Sequence, residues 1–151
     1  ALNDSGLHIP QEYKISAEYT LSNKLKLLAD RFLEDDKNYE SEAELSALIS
    51  TSKKWKYSIK KEKTEYKFRK KINEIFEKAE SLEKLDFERV LKIYAIASVM
   101  EININTNYSQ FKFYNMGMAE FAKLKEEKQE QFLELAVNMG FLKETFEEIG
   151  N

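Results

Sequence analysis

Apolar residues recur at helical spacing along most of this chain. Leu21, Leu25, Leu28 and Phe32 step by four, three and four positions, which predicts one buried face of a first helix. Ser16 or Thr20 is placed to cap its start, and the polar run Asp35, Asp36, Lys37, Asn38 marks its end. Ahead of it, residues 1–15, with Gly6 and Pro10, read as an extended arm. Ser41 and Glu44 fit a capping box, in which the serine oxygen takes one free amide and the glutamate returns to the other. Leu45, Leu48 and Ile49 supply the buried face of the short second helix behind it.

Residues 53–71, KKWKYSIKKEKTEYKFRKK, satisfy two periods. Trp55, Tyr57 and Ile59 alternate as in a strand, so a hairpin over 54–70 is one reading. Trp55, Ile59, Lys63 and Tyr66 match a helix, and Phe68, Ile72, Ile75, Phe76 and Ala79 continue that period. The turn a hairpin needs, at 60–63, has no Gly, Asn, Asp or Pro, so a long third helix over 53–80 is expected. Residues 44–52 followed by 53–61 look loosely like a helix-turn-helix. Ser50 stands where glycine is common and the later apolar positions fall one residue out of register, so no family is assigned.

Asp86 is placed to cap a fourth helix. Nine of the eleven residues 90–100 are apolar, which predicts a core helix with others around it. Residues 102–107 alternate Ile and Asn as a loop would. Ser109 is expected to cap a helix that buries Phe111, Tyr114, Met118 and Phe121. Phe132, Leu135, Ala136 and Met139 mark another helix that stops at Gly140, and Leu142, Phe146 and Ile149 a last short one. Pro occurs only at 10 and Gly only at 6, 117, 140 and 150, so residues 11–116 hold neither breaker. The expected fold is all-α: a single-domain bundle of six or seven helices over 16–151 behind the arm.

Length and composition agree with this. A chain of 151 residues with 42% hydrophobic and 13% aromatic content can bury a core without metal or disulfide support. Its 34% charged residues and mean hydropathy of −0.60 describe a well-solvated surface. No apolar run approaches the ~20 residues that span a bilayer. The chain begins at Ala1 rather than Met and has no cysteine, which leaves the compartment open between the cytoplasm and a processed, exported state.

Charge changes the picture most. Residues 53–71 hold ten Lys or Arg against Glu62 and Glu65, a net +8 in a chain of net −3. Such asymmetry suits an anionic partner or neutralisation by the chain's own acidic run at 30–44. The candidate binding residues are Lys53, Lys54, Trp55, Lys56, Tyr57, Lys60, Lys61, Tyr66, Lys67, Arg69, Lys70 and Lys71. Lysines supply steering and register to a protein partner, while Trp and Tyr supply anchors. The same residues suit nucleic acid, through phosphate neutralisation and base stacking. A membrane surface fits less well, because Lys54, Lys56 and Lys60 do not segregate from one apolar face.

Catalytic chemistry finds few carriers. His8 is the only histidine, which leaves neither a Ser-His-Asp triad nor a multi-histidine metal site. The four glycines form no phosphate-cradling loop. Glu101, Asn103, Asn105 and Asn107 place oxygens at every second position, but Tyr108 and Tyr114 occupy the glycine and bidentate-acid places of a calcium loop. The glutamates at 126, 127, 130 and 134 follow a solvated face. No cofactor or metal is expected. The expected function is a non-catalytic interaction or regulatory protein that engages a protein partner through 53–71. The alternative is a nucleic-acid-binding regulator using the same segment, and the third is an enzyme with a carboxylate acid/base pair. The sequence leaves the oligomeric state open.

Overall fold

The computed structural model describes residues 10–34 and 39–150. His8 and the rest of 1–9 lie outside the described residues, as does the polar run 35–38. Among the described residues all regular structure is helical: seven α-helices, three short 3₁₀ turns and no strand. None of these helices is long and apolar enough to cross a membrane. The chain divides into two compact units, Ala1–Lys67 and Phe68–Asn151.

In the first unit, α1 (Gln11–Glu34) packs against α2 (Tyr39–Lys54). Leu25, Leu28 and Phe32 of α1 and Leu45, Leu48 and Ile49 of α2 are buried, as the spacing predicts; Ala29 and Leu33 join them, while Leu21 of the expected face is half-buried. Two starts differ from expectation. α1 begins at Gln11, directly after Pro10, whose carbonyl accepts the Lys14 amide at 3.1 Å; residues 11–15 are therefore helical rather than extended. Proline lacks an amide and fixes its own φ, so just outside a helix it starts the helix rather than breaking it. α2 begins at Tyr39, so Ser41 lies inside the helix and is buried rather than standing ahead of it.

The basic run is neither the expected long helix nor a hairpin. α2 continues through Lys54, residues 55–61 form a non-helical connector, and α3 (Glu62–Lys78) follows. A helix-turn-helix is thereby removed as well, because 53–61 is no recognition helix. α2 closes in a Schellman motif: the Tyr57 amide donates to Ser52 O at 2.9 Å and the Lys56 amide to Lys53 O at 3.2 Å. Lys56 takes the left-handed position, φ 57°, where glycine is usual. The end is thus built without the residue that announces one. α3 starts with Glu62 and Glu65 in its first turn, where negative charge interacts favourably with the helix dipole.

The second unit holds α3 from Phe68, α4 (Phe87–Met100), α5 (Asn107–Glu120), α6 (Glu126–Asn138) and α7 (Glu144–Glu147). Asp86 caps α4, its Oδ1 accepting the Arg89 amide at 3.1 Å. α4 packs on α6 and buries Val90, Ile93, Tyr94, Ile96, Ala97 and Met100, but Ala95, Ser98 and Val99 face solvent. It is a core helix with one open side. The centre is aromatic: Phe113 stacks on Phe132 at 4.3 Å between centroids, and Phe146 meets Phe132 edge-on at 4.7 Å. Phe76 and Phe87 extend the cluster towards α3 and α4.

α5 departs most from its expected face. Phe111, Tyr114 and Met118 are exposed, while Ser109, Phe113, Met116 and Gly117 are buried; of the expected set only Phe121, just past the helix, is covered. Polar and apolar residues are intermixed all round the helix, so its period cannot choose a side. Gly117 decides it, because only a residue without Cβ lets Phe132 and Phe146 approach so closely. Thr106, not Ser109, is the cap; Ser109 is the reciprocal partner, its amide bound to Thr106 Oγ1 at 3.1 Å and its Oγ accepting the Thr106 amide at 3.3 Å. α6 buries Phe132, Leu135 and Ala136 and ends at Gly140, φ 91°, as expected.

Candidate interaction surface

The fold distributes the twelve expected binding residues over three local settings. Lys53 and Lys54 occupy the last turn of α2, where cations complement the dipole, and both are exposed. In the connector, Lys56 and Lys60 are exposed, while Trp55, Tyr57 and Lys61 are half-buried. Lys54 Nζ lies 6.0 Å from the centroid of the Trp55 ring, at the edge of cation–π range. On α3, Tyr66 is 65% exposed and Lys70 is exposed, whereas Lys67, Arg69 and Lys71 are half-buried.

Lys67 and Arg69 make side-chain bonds to other parts of the chain. Lys67 Nζ pairs with Asp30 Oδ1 at 2.5 Å, so part of the expected compensation by the acidic run exists. Arg69 Nε donates to Asn103 O at 2.9 Å and fastens the loop before α5. That loop contains Asn103 and Asn105 of the alternating asparagines, and the side-chain oxygens of these two are occupied. Asn103 Oδ1 accepts the Asn105 amide at 3.0 Å, and Asn105 Oδ1 accepts the Tyr94 hydroxyl at 2.6 Å. The Tyr94 side chain is 5% exposed, and burial raises its phenol well above the ordinary value. These groups line a small recess of about 210 Å³ with Ser98 and Asn138. No group of three acidic, histidine or cysteine side chains among the described residues is arranged to hold a metal ion.

The larger recess lies in the first unit and has a volume of about 460 Å³. One wall is α1, through Ile15, Glu18, Tyr19, Ser22, Asn23 and Lys26; the other is Ser58 and Lys60 of the connector with Glu62, Lys63 and Thr64 of α3. The Lys60 amide donates to Ser22 Oγ at 3.1 Å and joins the two walls. Tyr19 is 71% exposed and Ile15 58%, so an apolar stripe borders the opening. Of this lining only Lys60 was among the expected binding residues. The missed signal was the spacing of Ile15, Tyr19, Ser22 and Lys26, a second stripe on α1 beside Leu21, Leu25, Leu28 and Phe32.

The arrangement presents cations and aromatic rings to solvent around a concave apolar strip. Compared with known protein families, curated proteins and solved structures, the chain matches none.

Proposed function

We propose that this chain is a non-catalytic interaction protein that engages an acidic protein partner through the end of α2 and the connector that follows. The observation that supports this most is the setting of Trp55, half-buried among exposed Lys53, Lys54 and Lys56. A partly covered aromatic with cations around it combines a fixed apolar anchor with electrostatic steering. The Schellman turn fixes the backbone there, so little chain entropy is lost when a partner arrives. Nucleic acid is the second reading, supported by exposed Tyr66 with exposed Lys63 three positions before it on α3.

Affinity capture with the intact chain, beside a Lys53→Glu, Lys54→Glu, Lys56→Glu variant, tests the proposal when both protein and nucleic acid are analysed. An acidic protein held by the intact chain and lost by the variant supports it. Nucleic acid as the only variant-sensitive material replaces it with the second reading, and identical captures remove both.

A further inference from the structure

We infer that the recess between α1 and the connector receives an extended acidic peptide segment carrying one bulky apolar side chain. The inference deepens the proposed function, since it names what part of an acidic partner docks beside the connector, and it rests on that reading. Three features carry it. The α1 wall runs from Ile15 to Lys26, which at 1.5 Å per residue is about 16 Å, the length of roughly five extended residues. That length suits a peptide better than a compact small molecule. The volume of about 460 Å³, bordered by Ile15 and Tyr19, is within the range that accepts a large side chain with its flanking backbone.

Charge gives the third feature. Lys26, Lys60 and Lys63 come to the recess from three different elements, and none of them forms an ion pair among the described residues. Glu18 and Glu62 also line it, so the lining itself is +1, and the connector's remaining lysines raise the surrounding potential further. Carboxylates on either side of an apolar anchor would meet those lysines, while a cationic segment would meet the connector's field. Thr64, 2% exposed, belongs to the lining as well.

The test is fluorescence anisotropy with a labelled seven-residue peptide, a phenylalanine at its centre and three acidic residues on each side, titrated with the full chain at low salt. Saturable binding is expected, weakened at least about fivefold by Tyr19→Ala and by Lys26→Gln with Lys63→Gln, and by replacing the peptide's phenylalanine with alanine. Glu18→Gln should tighten it about twofold, because it removes a like charge from the site. All these side chains lie on a helix surface, and circular dichroism checks that the variants stay folded. Absence of saturable binding to the intact chain overturns the inference. So does binding that ignores the Tyr19 and Lys26/Lys63 changes yet is lost by the Lys53, Lys54, Lys56 variant, an outcome that leaves the connector reading standing. Displacement of the peptide by an oligothymidine equally sensitive to the recess variants also overturns it, as a site for polyanions in general. Sensitivity to the recess variants alone, with the connector variant still capturing its partner, upholds the recess and removes the connector reading.

Discussion

The ammonium of Lys67 lies 2.5 Å from Oδ1 of Asp30 and joins the first turns of α3 to the last turns of α1. Both side chains are about a third exposed, at 36% and 34%, so water competes with the pair. Asp30→Asn should therefore cost less than about 1 kcal/mol in urea denaturation, with the difference shrinking as salt is added. A larger, salt-independent loss would show that the pair is desolvated.

Lys56 sits at φ 57°, where a side chain costs energy and glycine does not. Lys56→Gly should raise unfolding stability by up to about 1 kcal/mol, while Lys56→Ala, which keeps the Cβ, should give no gain. Equal effects of the two substitutions would assign the change to the lost charge instead of the backbone.

Gly117 is the close-approach point of the aromatic core. A Cβ there would lie 2.5 Å from Cζ of Phe132 and 2.6 Å from Cε1 of Phe146, both on fully buried rings. Gly117→Ala should cost about 1–3 kcal/mol by overpacking, and Phe146→Leu in the same chain should recover part of that cost. A neutral Gly117→Ala would place the rings further apart than described.

Tyr94 links stability to alkaline pH. Burial favours its neutral phenol, so the folded state keeps the proton above the ordinary pKa of 10.0, where the unfolded chain releases it. Its contribution is fully present below pH 10 and is lost as pH rises towards the folded value. Tyr94→Phe removes the 2.6 Å bond to Asn105 and should cost about 1 kcal/mol at neutral pH. The gap between the two proteins should narrow above pH 10 in denaturation curves; a constant gap would mean that Tyr94 is solvated.

Helix content and most of the buried faces were legible because one stripe dominates each helix: Leu25, Leu28 and Phe32 on α1, and Phe132, Leu135 and Ala136 on α6. α5 was not legible by period, since Phe111, Tyr114 and Met118 compete with Phe113 and Met116, and the choice depends on tertiary packing at Gly117. The break at 55–61 was hidden because its closing residue is lysine; the same geometry recurs at Glu101, φ 59°, again without glycine. The basic surface was visible as composition. The recess was not, because it pairs α1 residues with connector residues some 38 positions away, as the Lys60 to Ser22 bond shows.

Binding of a partner by the cations around Trp55 is measured as the affinity of the purified captured partner for the intact chain, for the Lys53, Lys54, Lys56 charge-reversed variant and for Trp55→Ala, each over a range of salt. Both variants should lose at least about tenfold in affinity with helical content unchanged, and salt should weaken the intact complex more than that of the charge-reversed variant. Unaltered affinity in both variants would contradict it and leave Lys53, Lys54 and Lys56 as solvated charges around a structural Trp55.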